Sequence, residues 1–102
     1  MPSTKNLLVR IATLDSLLSN RYHNYSLNDL TDKVNEKLSE IECPPVTRRT
    51  IEYDIDFLES APFYVEIEKY RSDYYMSNGK ITVKKCLRYK QNGYSIFNHT
   101  LS

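Results

Sequence analysis

Apolar residues recur at helical spacing near the beginning of the chain. The first stripe consists of Leu7, Leu8, Ile11, Leu14 and Leu18. Residues three and four positions apart share one face of a helix, so this stripe predicts a helix over residues 4–19 with that face buried. The polar and aromatic residues 20–25 that follow are typical of a connection between helices.

A second helix is predicted to begin after Ser26. Serine is a favourable N-cap, and Asp29, three residues further on, is placed to complete a capping box. The buried stripe of this helix is expected to consist of Leu27, Leu30, Val34, Leu38 and Ile41. Cys43-Pro44-Pro45 should end it, because proline lacks the amide proton and disfavours helix in the residue before it.

A third helix is predicted over residues 47–59, with Thr47 as its N-cap. The residues expected to face inward are Ile51, Ile55 and Leu58. Helical geometry then places a different set on the opposite face, namely Arg49, Tyr53 and Asp56. The helix is expected to stop at Ser60-Ala61-Pro62.

Two short β-type runs follow, over residues 63–67 and 81–89, around the turn signal Asn78-Gly79. A two-residue turn centred on Asn78-Gly79 would place Ile67 and Leu87 on opposite faces of the hairpin. Both look like core residues, so we expect a bulge or a longer loop that shifts the register by one residue.

Three helices followed by a β-hairpin is the element order of a winged helix-turn-helix. We therefore predict an α+β fold, mostly α, with a two-stranded antiparallel hairpin as the wing. At 102 residues the chain can bury one core. We assign residues 1–90 to a DNA-binding domain and residues 91–102 to a C-terminal tail or the start of a linker.

The net charge of the whole chain is only +1, but its distribution is uneven. Between Lys69 and Lys90 there are seven basic residues and one acid, Asp73, a local net charge of +6, whereas the other residues carry seven basic and twelve acidic groups, a net charge of −5. Such asymmetry creates a local positive field. This favours double-stranded DNA as the partner, with the basic hairpin on the phosphate backbone.

The third helix would lie in the major groove. The amide protons of its first turn favour a phosphate, and arginine can bind phosphate or the O6/N7 edge of guanine. The candidate DNA-binding residues of this helix are Thr47, Arg48, Arg49, Thr50 and Tyr53. Those of the hairpin are Lys69, Arg71, Lys84 and Lys85; because Lys84 and Lys85 are adjacent in a strand, only one of them should face phosphate.

Other classes of function find little support in the residues. A glycine-rich phosphate loop, a nucleophile arrangement and metal-ligand spacing are all lacking, so we predict no enzymatic activity, cofactor or metal. His23 and His99 are expected to be surface residues. Without a signal pattern or a membrane-length apolar run, the protein is expected to be cytoplasmic, with Cys43 and Cys86 reduced.

The segment Arg48–Glu59, Arg-Arg-Thr-Ile-Glu-Tyr-Asp-Ile-Asp-Phe-Leu-Glu, resembles the recognition helix in the N-terminal domain of bacterial WYL-domain transcription regulators. The similarity extends to residues 17–23, 25–27, 87–89 and 94–97. It implies a winged helix that binds DNA, followed by a ligand-sensing WYL domain, absent from these residues, through which a homodimer would form. Where the family usually has arginine, this chain has Tyr53.

A second interpretation comes from a different class of function. Nine tyrosines, several of them in the hairpin, and a near-neutral net charge would also suit a winged-helix protein–protein interaction module that uses the tyrosine-rich hairpin as its interface. The salt dependence of binding separates the two, because contacts to several phosphates weaken steeply with salt.

Overall fold

Three helices and one antiparallel hairpin follow each other along the chain. The computed structural model describes residues 4–97. Its elements are α1 (Thr4–Leu18), α2 (Leu27–Glu40), α3 (Arg48–Glu59), β1 (Ile67–Tyr75) and β2 (Ile81–Tyr89). The predicted winged helix-turn-helix is therefore confirmed. Residues 1–3 of the predicted domain and residues 98–102 of the predicted tail, with His99, lie outside the described residues.

The three apolar stripes form most of the core, which also contains Val65, Tyr89 and Ile96. Each helix contributes a buried trio: Ile11, Leu14 and Leu18; Leu30, Val34 and Leu38; and Ile51, Ile55 and Leu58. Two residues expected in the stripes are exposed instead. Leu8 lies about 100° around α1 from the buried face, and Ile41 lies just beyond the end of α2.

Helices α2 and α3 differ in how their first turns are capped. At α2, Ser26 Oγ accepts a hydrogen bond from the Asp29 amide (3.2 Å), and Asp29 Oδ2 accepts one from the Ser26 amide (3.0 Å), so the predicted capping box is confirmed. At α3, Thr47 occupies the N-cap position, but its side chain caps no amide. The prediction that Thr47 caps α3 through its hydroxyl is wrong.

The end of α2 and the beginning of β1 lie at other residues than predicted. Helix α2 stops before the proline pair, because Glu42 adopts a left-handed conformation (φ 58°) that the helix cannot continue through. The predicted strand over residues 63–67 is mostly not a strand. Tyr64 is left-handed (φ 48°), and the amide of Val65 bonds back to the carbonyl of Leu58 (2.9 Å).

The hairpin has the register that its core residues require. Tyr75 pairs with Ile81, which leaves a five-residue connection rather than a two-residue turn, and Ile67 pairs with Tyr89. Ile67 and Leu87 therefore share one face, and both pack against the core. The predicted register shift is confirmed, and β2 has the predicted bounds.

Hydrogen bonds at its inner end fasten the hairpin to the helical body. The amide of Leu87 donates to the carbonyl of Tyr25 (2.9 Å), which adds a single bridge to the edge of β2. Asp15 of α1, itself buried, accepts hydrogen bonds from the hydroxyls of Tyr89 and Ser95 (both 2.6 Å) and from the amide of Ile96 (3.0 Å). The packed body therefore continues past Lys90 at least to Ile96. The assignment of residues 91–102 to a tail or linker stays a prediction.

Candidate nucleic-acid interface

Helix α3 turns one face to the core and the other to solvent. Its buried residues are Ile51, Asp54, Ile55 and Leu58. Arg49 and Tyr53 are exposed on the opposite face, as predicted. A helix held by one face against the body can present the other to a DNA groove.

A buried ion pair adds to the apolar packing of α3. Arg10 of α1 donates from Nε to Asp54 Oδ2 (2.6 Å) and from Nη2 to Asp54 Oδ1 (3.2 Å). A two-point contact of this kind constrains rotation of α3 about its axis as well as its distance from α1. Neither Arg10 nor Asp54 was assigned a role from the sequence. The available signal was that Asp54 lies three residues from Ile51 and four from Leu58, at the edge of the buried stripe.

The first turn of α3 brings together most of the predicted site. Thr47 Oγ1 lies 3.5 Å from Thr50 Oγ1, and Arg48 Nη1 donates to Asn28 Oδ1 of α2 (3.3 Å). Arg49 Nε donates to the hydroxyl of Tyr53 (3.2 Å), with the guanidinium carbon 5.7 Å from the ring centre. These contacts are exposed, so both arginines can exchange them for contacts to a ligand at small cost.

The register of the hairpin sorts its basic residues between two faces. Lys69, Arg71 and Lys85 share one face, because Lys69 pairs with Leu87 and Arg71 with Lys85. Together with residues of α3, these three line a groove of about 560 Å³ between the helix and the hairpin. In the described part of the chain, none of the three takes part in an ion pair.

Lys84 lies on the other face and binds groups of the protein itself. Its ammonium forms an ion pair with Asp29 and donates to the carbonyl of Asn24 (3.2 Å). Partial burial works to raise the pKa of Asp29, but hydrogen bonds from Lys84 and Ser26 outweigh it and hold the pKa below its ordinary value of 3.8. Lys84 thus joins the hairpin to the beginning of α2.

Further along the hairpin, Arg88 and Lys90 are likewise paired. Arg88 Nε donates to Glu68 Oε2 (2.6 Å), with its guanidinium over the ring of Tyr70 at 4.2 Å, and Lys90 lies 3.3 Å from Glu66. The local excess of positive charge read from the sequence is therefore partly neutralised. The net basic character is concentrated on the face that carries Lys69, Arg71 and Lys85.

Acidic residues line the helix side of the same groove. They are Glu52, Asp56 and Glu59 of α3. Their position opposite the basic face of the hairpin follows from tertiary structure and could not be predicted from the sequence. A polyanion bound here would meet repulsion along this edge of α3, so the arginines of its first turn and the hairpin bases are the groups that attract phosphate.

A family model described as the N-terminal winged helix domain of WYL domain-containing proteins matches residues 6–90. The chain belongs to this family. Neither characterised proteins nor solved structures gave a match. Residues 47–53 and the basic face of the hairpin both lie within the range that matches the WYL winged-helix model.

Among residues 4–97, no helix is long and apolar enough to cross a membrane. Nor do histidine, cysteine and acidic side chains in this range gather in a group that could hold a metal ion. Cys43 and Cys86 are both free, and the Cys43 thiol donates to Asn6 Oδ1 (3.1 Å).

Proposed function

We propose that this chain is the duplex-DNA-binding module of a cytoplasmic transcription regulator. Helix α3 would occupy the major groove, and the basic face of the hairpin would lie along the phosphate backbone. The observation that carries the proposal is the shared groove: Arg71 and Lys85 border it from the hairpin, and α3 borders it from the body. A duplex against the exposed face of α3 therefore lies next to the free cations of the hairpin.

Arg49 is the residue we assign to base reading. It lies on the outer face in the first turn of α3, where the side chains of recognition helices reach base edges. The hydrogen bond from its side chain to Tyr53 is exposed. Arg48 lies beside α2 and Asn28. Arg48, with the hydroxyls of Thr47 and Thr50, is suited to a phosphate next to the first-turn amides.

Salt-dependent binding tests the proposal. The protein is titrated into a labelled random-sequence duplex, and into a duplex chosen by in vitro selection, over about 50 to 200 mM salt. The logarithm of the binding constant should fall linearly with the logarithm of salt concentration, by about 0.9 for each phosphate neutralised. Arg49→Ala should cost about 1–3 kcal/mol on the selected duplex and relax the preference at one base pair.

Lys37→Ala is the matched control. Lys37 is an exposed base of α2 whose ammonium lies 3.4 Å from Glu40, beside α1 and away from the groove. Its removal should change neither the affinity nor the salt slope. If the parent chain binds neither duplex, or binds with no salt dependence, DNA binding is rejected and the protein-interface interpretation of the hairpin takes its place.

A further inference from the structure

The outer edge of β1 is open. Within residues 4–97 the sheet has two strands, and the isolated bridge at Tyr25 lies on the far side, against β2. The helices also make their strand contacts mainly with β2. An open edge presents backbone amides and carbonyls that can pair with another strand, and folded proteins usually cover it or blunt it with charged side chains.

The hydrogen-bond pattern of the hairpin shows which residues of β1 point outward. The amide of Lys90 donates to the carbonyl of Glu66 (3.0 Å), and the amide of Met76 donates to the carbonyl of Lys80 (2.8 Å). Hydrogen-bonded pairs alternate along an antiparallel ladder, so the even-numbered residues of β1 bond to β2. The backbone groups of the odd-numbered residues therefore point away from β2; these residues are Ile67, Lys69, Arg71, Asp73 and Tyr75.

Three residues of this outward row carry charges. Lys69, Arg71 and Asp73 are exposed, and within residues 4–97 none of them takes part in an ion pair. Their side chains lie on one face of the sheet, because alternate residues of a strand share a face. Like charges across two strands oppose pairing, whereas opposite charges favour it. The charges therefore select among the registers in which a second strand could pair.

The charge pattern of β1 is complementary to itself in one antiparallel register. Outward residues pair with outward residues, so a two-fold axis must pass through a residue of β1; registers that pair at least five residues have it within residues 69–73. An axis at Lys69, Arg71 or Asp73 places that residue opposite its own copy. An axis at Tyr70 places Lys69 opposite Arg71. An axis at Ser72 places Arg71 opposite Asp73, and does so twice.

We propose that two copies of this chain dimerise through β1, as antiparallel strands with the two-fold axis at Ser72. The two hairpins form one four-stranded sheet in the order β2–β1–β1–β2, in which Arg71 of each copy faces Asp73 of the other. This is pairing by strand addition, with backbone hydrogen bonds supplying affinity and side chains supplying register. The surface is separate from the C-terminal domain implied by the family resemblance, and the inference does not depend on DNA binding.

The same register gives the outer end of the hairpin a neighbour. Tyr75 and Ile81 pair with each other and are 71% and 60% exposed. In the dimer, Lys69 of the second copy lies opposite Tyr75, so its aliphatic stem can cover the ring. Leu87 follows in the same row, because it pairs with Lys69 within its own hairpin. The exposed end of each hairpin therefore lies beside the anchored end of the other.

Sedimentation equilibrium of the chain without DNA tests the proposal. The paired segment, residues 69–75, is shorter than the about 20 residues on each side of a standard interface, so the dimer should be weak. Its average mass should rise from monomer towards dimer between about 10 µM and about 1 mM. Reductant is included, because the free thiol of Cys43 is partly exposed.

Charge reversal at the two central positions tests the register. Arg71→Asp and Asp73→Arg each place like charges opposite each other at both symmetric positions, and each should weaken the dimer about tenfold or more. The double variant Arg71→Asp with Asp73→Arg places opposite charges together again and should recover it. Lys37→Asp is the matched control, since Lys37 is an exposed residue of α2 beside Glu40, and it should leave the dimer unchanged.

An equimolar mixture of the two single variants gives the sharpest result. One copy then carries acids at both positions and the other carries bases at both. Each variant alone should remain a monomer at concentrations where the mixture forms a heterodimer. Recovery in the mixture also shows that both variants are folded, because a misfolded strand cannot restore its partner.

Hydrogen exchange of the parent chain locates the edge without any substitution. The outward amides of Arg71 and Asp73 should exchange more slowly at the highest concentration than at the lowest, because they bond to the second copy. The amide of Ser72 bonds within its own hairpin and should exchange at the same rate at both concentrations. This measurement tests the proposal whether or not the variants fold.

The outcomes decide the proposal separately from DNA binding. A parent chain that stays monomeric at every concentration overturns it, and so does a dimer that neither single variant weakens. Loss of the dimer in both single variants without recovery in the mixture or in the double variant overturns it too. Each of these results leaves the proposed function standing, because no duplex is present in the measurements.

Discussion

Arg10 and Asp54 form a buried pair that joins the first helix to the third across 44 residues of sequence. Two hydrogen bonds, of 2.6 and 3.2 Å, connect the guanidinium to the carboxylate, and both side chains are almost fully excluded from solvent. Because Asp54 precedes Ile55 on the buried face of α3, the pair constrains the helix at the same level as its central core residue. The outward direction of Arg49 and Tyr53 depends on this rotation.

Removing one member of the pair should destabilise the fold strongly. Asp54→Ala leaves the Arg10 charge buried without its partner, so the free energy of unfolding should fall by about 3–5 kcal/mol. Urea denaturation followed by circular dichroism measures it. Asp56→Ala, two residues along on the exposed side, is the control and should change stability by at most about 0.5 kcal/mol. Equal unfolding free energies for the two variants would contradict the assigned role of the pair.

The neighbouring lysines of β2 should behave differently on DNA. Lys85 faces the groove beside α3, whereas Lys84 is held by Asp29 and Asn24 on the other face. Lys85→Ala should therefore flatten the salt slope of duplex binding by about one unit, and Lys84→Ala should leave it unchanged. Binding isotherms at several salt concentrations measure both. A flattened slope for Lys84→Ala with a normal slope for Lys85→Ala would reverse the assignment of faces.

The Lys84–Asp29 pair should make stability depend on pH in the acid range. The pKa of Asp29 is lower in the folded chain than its ordinary value of 3.8, so the unfolded chain binds the proton more readily. The contribution of the pair is therefore full above pH 3.8 and is lost as the pH falls through the folded-state pKa. The stability difference between the parent and Lys84→Ala should be larger at about pH 7 than at about pH 3.

The control for this pH effect is Lys33→Ala, which removes an exposed ion pair with Glu36 on α2. Exposed pairs of this kind contribute about 0–1 kcal/mol, and no comparable pH dependence is expected. Because Lys84 also bonds the carbonyl of Asn24, a small difference from the parent should persist at low pH. If the stability difference between the parent and Lys84→Ala grew as the pH fell, the predicted direction of the pH dependence would be wrong.

At Tyr53 the resemblance to the WYL family implies arginine. Tyr53→Arg adds a cation to the exposed face of α3 and removes the hydroxyl that accepts the Arg49 hydrogen bond. Affinity for random duplex should rise, and the salt slope should steepen by up to about one unit. Tyr22→Arg adds the same charge in the connection between α1 and α2, away from the groove, and should leave the salt slope unchanged.

Most of the fold could be predicted because it depends on local patterns. The three apolar stripes and the Ser26–Asp29 capping box are readable over a few residues, and they gave the right helices in the right order. The hairpin register could be predicted as well, because a shift of one residue from the two-residue turn brings Ile67 and Leu87 to the same face. The exposure of Arg49 and Tyr53 followed from helix geometry alone.

The remaining features depend on contacts between distant segments. No local pattern shows that Arg10 and Asp54 meet, or that Asp29 captures Lys84 and leaves Lys85 free. The missing side-chain cap at Thr47 and the left-handed residues Glu42 and Tyr64 are backbone details that residue type does not determine. For the same reason, composition could not show which of the hairpin bases are neutralised within the protein.

The hairpin is anchored at its inner end only, so a small rotation there moves its outer end by a larger distance. The inner half is fastened through Leu87, Tyr89 and Lys84, whereas the outer half projects beyond the body. Strand residues advance about 3.3 Å each, so the tip lies about 20 Å from the bridge at Leu87. A tilt of about 10° at that fulcrum would sweep the tip through about 3 Å, close to the rise of one base pair. The polar contacts that Asn24 and Asp29 make with the hairpin thereby fix the angle between the hairpin and the helical body.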